Sequence, residues 1–155
     1  MVKRAVSENE RFEVSDIESR LPKPSYTWDT LKSLKVGETE CTCYFIIGCD
    51  AFLEIESWHR WQEVLRLTNF ILALRPGFKI EKIGRFLQQN RFEKKIGRTV
   101  SWQRQDDNTK VLLLEAMVDD VSSTDIRKRI GSSKTWQSLV PPGVGTYIKD
   151  QSLYV

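Results

Sequence analysis

The chain has one histidine, His59, and three cysteines, Cys41, Cys43 and Cys49, among 155 residues. A lone histidine cannot build a two-histidine phosphate site, and no Ser-His-Asp order stands out. The cysteines are odd in number and cluster in and beside one apolar run. Cys41 and Cys43, two apart, share a face if the segment is a strand, and free thiols are expected rather than a bridge. Their spacing with His59 fits no structural zinc pattern, so no metal ligand is assigned. Long hydrophobic runs are also missing. The longest, such as Cys43 to Gly48 and Val111 to Leu114, fall far short of the roughly 20 residues of a membrane helix. The basic start at Lys3-Arg4 turns polar at Ser7 without the apolar run of a secretion signal, and the chain reads as cytoplasmic. A large charge of one sign is absent as well. Lys and Arg number 24 against 21 Asp and Glu, a net +3, spread as mixed charges rather than a basic tail, which argues against a nucleic-acid partner.

What is present is an ordinary globular composition, 40% hydrophobic, 29% charged and 10% aromatic, so fibrous and disordered classes are excluded. A chain of this length buries roughly two-thirds of its unfolded surface, enough for a core without disulfides. Val2, Ala5 and Val6 repeat at helical spacing. Phe12 to Ile17 alternates like a half-buried strand, ended by Leu21-Pro22-Lys23-Pro24. Ser25 or Thr27 can cap a helix carrying Trp28, Leu31 and Leu34, with Gly37 after it. Cys43 to Gly48 reads as a strand buried on both faces. Ser57 can cap a helix with Trp58, Trp61, Val64 and Leu65 on its inner face. Phe70 to Leu74 is a second strand, stopped by Pro76-Gly77. Ile80 to Ile96 has a looser helical pattern, Gln103 to Lys110 is polar, and Val111 to Met117 is a third strand before two short helices. Strands alternating with helices predict βαβ units and an α/β three-layer fold with a parallel sheet.

Three places combine residues suited to binding. Ser122 and Asp125 have the spacing of a capping box, so Ser122, Ser123 and Thr124 gather hydroxyls and free backbone N–H groups at a helix start. Arg127, in the first turn, is where a helix does not favour a cation, but its fork suits a phosphate. A capped helix with an exposed Arg accounts for the same residues. Gly48 and Asp50 follow a strand at the carboxyl edge of the sheet, where Asp can accept both hydroxyls of a ribose; a turn glycine and a capping Asp is the alternative. Trp58 and His59 open the next helix beside that edge, with Trp58 either a stacking surface for a heteroaromatic ring or a core residue, and Trp61 a core residue. The run Arg127-Lys128-Arg129 reads as a solvated helix face.

Six strings in order, P-S-Y-T-x-D-T-L from Pro24, F-I-I-G-x-D-A from Phe45, S-W-H-R-W from Ser57, R-P-G from Arg75, V-S-S-T-x-I-R from Val121 and L-V-P-P-x-V from Leu139, resemble bacterial nicotinate mononucleotide adenylyltransferase. They run through nearly the whole chain, leaving only Phe78 to Lys110 unmatched. The resemblance implies a Rossmann-like nucleotidyltransferase fold and transfer of AMP from ATP to nicotinate mononucleotide with Mg²⁺, giving deamido-NAD and pyrophosphate. Carried over by position, it implies that Thr27, Trp58 and His59 hold the pyridine and its carboxylate. Gly48 and Asp50 would hold the adenylyl ribose, and Ser122, Ser123, Thr124 and Arg127 the ATP phosphates. The family also has a Gly-rich turn and a His-x-Gly-His motif that clamp the phosphates, and this sequence has neither. Residues 1–155 are therefore expected to form a single incomplete nucleotidyltransferase domain, lacking a βαβ unit of roughly 30 residues or more. Its absent strands would lie beside Phe45 to Ile47, leaving an apolar edge for a second copy of the chain to cover. The alternative is a catalytically inactive nucleotide-binding or interaction module.

Overall fold

The protein is described here by a computed structural model, covering residues 1–35, 42–74, 77–114 and 121–155. The expectations for Cys41, Gly37, Pro76 of the Pro76-Gly77 stop and the end of the third strand at 115–117 lie outside these residues, while Gly77 is described and takes a left-handed φ of 79°. The chain forms two compact units, one of Ile17–Val118 and one of Met1–Asp16 with Asp119–Val155.

In the larger unit, α2 (Ile17–Arg20) and α3 (Thr27–Lys35) precede β1 (Tyr44–Gly48), which runs directly into α4 (Cys49–Leu53). A 3₁₀ turn at Ile55–Ser57, α5 (Trp61–Leu67), β2 (Asn69–Ala73) and α6 (Glu81–Gln89) follow, then β3 (Phe92–Lys95), β4 (Ser101–Arg104) and β5 (Lys110–Leu114). The sheet order is β1-β2-β5-β4-β3. β1, β2 and β5 are mutually parallel, with Ile46 beside Ile71 and Ile71 beside Leu112. The expected parallel sheet is thus confirmed for these three strands and extended by an antiparallel pair, since β4 runs against both β5 and β3.

That pair lies in the stretch read as a loose helix from Ile80 to Ile96 and as a polar segment after Gln103. The helix ends at Gln89, and Arg91 takes a left-handed φ of 65°, the conformation that terminates helices. Phe92 then enters the core while Ile96 is 89% exposed. The helical spacing after Asn90 was coincidental.

β1 was expected to be buried on both faces. Instead Phe45 and Ile47 pack against the core, whereas Tyr44 is 41% and Ile46 66% exposed. Among the described residues β1 is an edge strand of the five-stranded sheet, with β2 as its hydrogen-bonded neighbour. The inward faces of β2 and β5 supply Phe70, Leu72, Val111 and Leu113, all essentially inaccessible, against Phe52, Val64, Leu65, Ile83 and Leu87 from the helices. The Phe52 ring meets Phe70 and Phe86 edge-to-face at 5.3 and 5.7 Å. Burying one such ring is worth about 1.5–3 kcal/mol. This packing fixes the carboxyl edge of the sheet.

α3 begins at Thr27, but neither Ser25 nor Thr27 caps it. Thr30 N–H donates to Tyr26 O at 3.2 Å and the Tyr26 N–H donates to Asp29 Oδ2 at 3.2 Å. Tyr26 is therefore the N-cap, and Asp29 satisfies its N–H as the third residue of a capping box does.

The smaller unit contains α1 (Val2–Val6), α7 (Ser123–Gly131), a 3₁₀ turn at Gln137–Leu139 and α8 (Pro142–Asp150). Its core is Ile130, Trp136, Val144 and Ile148. The Arg4 guanidinium lies over the Tyr147 ring at 5.1 Å. A Cβ on Gly143 would approach Arg4 O to 3.3 Å, a tight contact that a side chain there would make only if the Arg4 backbone moved by a few tenths of an ångström. The expected strand at Phe12 to Ile17 does not form: residues 12–16 are irregular, Phe12 is 62% exposed, and Ile17 starts α2. Two or three alternating residues make no strand without a partner to complete the ladder.

Candidate active site at the carboxyl edge of the parallel strands

Gly48, Ala73 and Leu114 end β1, β2 and β5 at the same edge of the sheet, the edge at which open α/β sheets bind ligands. Gly48 is the N-cap of α4, in extended conformation. A Cβ there would lie 2.7 Å from Asp50 Oδ1, so the absence of a side chain lets the exposed Asp50 carboxylate fold back over the strand end. Between them Cys49 is fully buried, and burial, followed by the negative charge of Asp50, holds its thiol above the ordinary range. Cys49 is thus a neutral core residue rather than a nucleophile.

Trp58 and His59 stand where β1 and α4 direct the chain, but not inside a helix. Ser57 Oγ donates to Glu54 O at 2.7 Å and caps nothing. Trp58 is extended, Arg60 is left-handed at φ 55°, and α5 begins only at Trp61. The expectation that Trp58 stands in the first turn of a helix is therefore corrected. The segment Trp58, His59 and Arg60 is held by turn hydrogen bonds, Trp58 N–H to Ile55 O at 2.9 Å and Trp61 N–H to Trp58 O at 3.2 Å, together with side-chain contacts. Trp58 is half-buried, edge-on to Phe45 at 6.3 Å. Trp61, expected as core, is also half-buried, tilted against Phe86 at 6.2 Å. Both indoles thus have a packed side and an open side.

Thr27 comes to the same place from α3. The exposed Tyr26 ring stacks on the His59 imidazole, with centroids 4.4 Å apart and planes at 27°. Trp28 meets His59 edge-on at 6.5 Å. Trp28 Nε1–H donates to Glu63 Oε2 at 3.0 Å, and the Arg60 guanidinium lies 4.1 Å over the Trp28 ring while its Nε pairs with Glu63 Oε1 at 2.9 Å. The neighbours of Thr27, Tyr26 and Trp28, are thus linked to His59, Arg60 and Glu63, while the Trp58 contact described is with Phe45. Sequence reasoning did not assign Tyr26, Trp28, Arg60 and Glu63; the signal available was the Arg-x-x-Glu spacing at the start of α5, an (i, i+3) pair.

In the smaller unit, Ser122 is the N-cap of α7, and its Oγ accepts from Asp125 N–H at 3.0 Å, as expected for a capping serine. The second half of the expected box is replaced: the Asp125 carboxylate pairs with Arg129 at 2.8 Å. Ser122, Ser123, Thr124 and Arg127 are exposed, and Arg127 Nη2 donates to Thr124 Oγ1 at 3.3 Å.

A family model described as cytidylyltransferase-like matches residues 1–129. A probable nicotinate-nucleotide adenylyltransferase of Desulfotalea psychrophila is 35% identical over 157 residues, spanning 99% of this chain and 72% of that protein. The chain belongs to the nicotinate-nucleotide adenylyltransferase family. Members similarly named from Clostridium novyi and from Desulfitobacterium hafniense strain Y51 are 34% and 40% identical, each over 99% of this chain and over 70% and 68% of their own lengths. The membership makes this an enzyme fold of the nucleotidyltransferase type, and the mixed α/β sheet agrees with it. Among the described residues, no helix is long and apolar enough to cross a membrane.

Proposed function

We propose that the chain binds nicotinate mononucleotide and ATP as the substrate-binding part of an adenylyltransferase that forms deamido-NAD and pyrophosphate. The observation that supports this reading is the meeting of Tyr26 and Trp28, the neighbours of Thr27, with the ring of His59, the neighbour of Trp58, within the unit whose sheet edge presents Gly48 and Asp50. The open side of Trp58 is a surface for the pyridine ring. Thr27 and the backbone at His59 offer donors for its carboxylate, a selective feature because a carboxylate only accepts. Asp50 offers two acceptor oxygens to the adenylyl ribose hydroxyls. Ser122, Ser123, Thr124 and Arg127 offer hydroxyls, helix-start N–H groups and a guanidinium to the ATP phosphates.

In the transfer, the mononucleotide's 5′-phosphate oxygen bonds to the α-phosphorus of ATP as the bond to the β-phosphate bridging oxygen breaks, and pyrophosphate leaves. The residues named here orient the two partners. Among the described residues no three His, Cys, Asp or Glu side chains gather as a cation site. Mg²⁺ would accordingly be carried on the triphosphate, beside the hydroxyls of Ser122, Ser123 and Thr124, as that ion commonly is. Bound there it neutralises phosphate charge.

This sequence contains no His-x-Gly-His. Positioned phosphate donors supply most of the rate in such transfers, and removing even one costs on the order of 10²–10³. The 155-residue chain is therefore expected to bind both substrates without measurable pyrophosphate release, and to turn over when a segment bearing a Gly-rich turn and that motif is supplied with it. Titration calorimetry with nicotinate mononucleotide tests the reading directly: saturable binding that Thr27→Val or Trp58→Ala weakens supports it. No binding by the folded chain overturns it. Turnover by the purified chain alone would show that other groups clamp the phosphates.

A further inference from the structure

We infer that Glu63 is a positioning residue for the mononucleotide site, holding the turn at Trp58-His59 against the start of α3; this rests on the binding reading above. One carboxylate serves both sides of the junction. Its Oε2 accepts from Trp28 Nε1, 35 residues away in sequence, and its Oε1 pairs with Arg60 Nε. Trp28 immediately follows Thr27, and Arg60 immediately follows His59, so Glu63 fastens the neighbour of each substrate-facing residue. The triangle closes because the Arg60 guanidinium also lies on the Trp28 ring.

The arrangement is more than a surface ion pair. The Arg60 and Glu63 side chains are 45% and 50% exposed, and an isolated pair so exposed contributes little to stability. Arg60, however, is left-handed at φ 55°, a conformation that a non-glycine residue keeps only when its surroundings hold it there. The left-handed residue sets where His59 points. Of the groups facing it, Glu63 is the one that binds both Arg60 and Trp28, while Lys32 lies over the Trp28 ring at 4.7 Å and adds a second cation that the carboxylate offsets. Glu63 touches no substrate in this reading. It acts through His59 and Thr27, which must lie at one distance from each other to meet a single carboxylate.

The test uses the whole chain and three variants, Glu63→Ala, Glu63→Gln and, as a control on an exposed acid of the preceding turn, Glu56→Gln. Calorimetry with nicotinate mononucleotide and, separately, with Mg-ATP is read beside thermal melting. Because His59 is the single histidine, its imidazole proton signals need no assignment, and the ring currents of Tyr26 and Trp28 report its place without ligand. Glu63→Ala is expected to weaken mononucleotide affinity roughly two- to 150-fold, the span of couplings within one contact network. It should displace the His59 signals and leave ATP affinity and melting temperature nearly unchanged. Glu63→Gln, which can still accept from Trp28, should recover part of the affinity, and Glu56→Gln should change nothing. Unmoved His59 signals, unaltered mononucleotide affinity, or equal loss of both ligands together with a large fall in melting temperature would each overturn the inference. Absence of mononucleotide binding by the unaltered chain would overturn the binding reading and this inference together, whereas binding that ignores Glu63 would sink the inference alone.

Discussion

The indole N–H of Trp28 and the carboxylate of Glu63 meet at 3.0 Å, joining α3 to α5 across β1 in sequence. The bond brings Thr27 and His59 to one locality. In the proposed reading, the affinity of the site for a pyridine would depend on residues that do not face it, and substitutions can be chosen that separate binding from folding.

Trp58 offers its open side to a ring but packs its other side on Phe45. Trp58→Ala should weaken mononucleotide binding by about 1–3 kcal/mol, the range for stacking on an aromatic side chain, and should also lower the melting temperature through the lost packing. Trp58→Phe should restore most of the stability and part of the affinity. Calorimetry and melting curves on both variants check this. Loss of stability with intact affinity would move the pyridine elsewhere.

Gly48 tests the ribose site through sterics alone. An Ala there adds a Cβ 2.7 Å from Asp50 Oδ1, and the carboxylate, as the end of a side chain, is what gives way. Gly48 has an ordinary φ of −68°, so the backbone accepts alanine. Gly48→Ala should keep the fold and weaken ATP binding about as much as Asp50→Ala does, whereas mononucleotide affinity should change less. Equal ATP affinity in Gly48→Ala and the unaltered chain would remove Asp50 from the ribose site.

Ser122 and Arg127 should separate cleanly. Ser122→Ala removes the cap of α7 and should cost about 1 kcal/mol of stability, visible as a lower melting temperature. Arg127, the fifth residue of α7 and so just past the expected first turn, is exposed, with its Nη2 donating to Thr124 Oγ1, and a cation in the N-terminal half of a helix gains nothing from the helix dipole. Arg127→Ala should leave melting nearly unchanged while weakening ATP binding by about 1.5–3 kcal/mol, as for a lost charge-assisted hydrogen bond. A large drop in melting temperature for Arg127→Ala would assign it a structural role instead.

Cys49 carries a pH signature. Burial and then Asp50 raise its thiol, so folding favours the neutral form. The stabilisation is complete below the unfolded thiol's value, about 8.5, and is lost as pH rises through the higher folded value. Urea unfolding at pH 8 and pH 10 should show stability falling more steeply in the unaltered chain than in Cys49→Ala. Alkylation of Cys49 in the folded chain should be slow across the same range.

Much of this molecule is legible in its sequence. Tyr44 to Gly48, Asn69 to Ala73 and Lys110 to Leu114 are short apolar runs separated by helical spacing, and local propensity with the demand to bury them suffices to specify three parallel strands and a ligand edge. The Ser122 cap is equally local, since its oxygen bonds an N–H three residues on. The six strings that resemble the adenylyltransferases are likewise short and local in the chain. What the sequence did not determine depends on partners distant in the chain. Phe92 to Lys95 is polar enough to read as helix and becomes a strand because β4 lies beside it. Ile46 looks like core, yet it is exposed because it projects from the face of the sheet opposite Phe45 and Ile47, which pack on the core. Trp58 and His59 sit outside a helix because Arg60 is held left-handed by contacts with Trp28 and Glu63. Periodicity records which residues want burial, and it carries no information about which segment arrives to cover them; that choice is made by the packing of the whole unit.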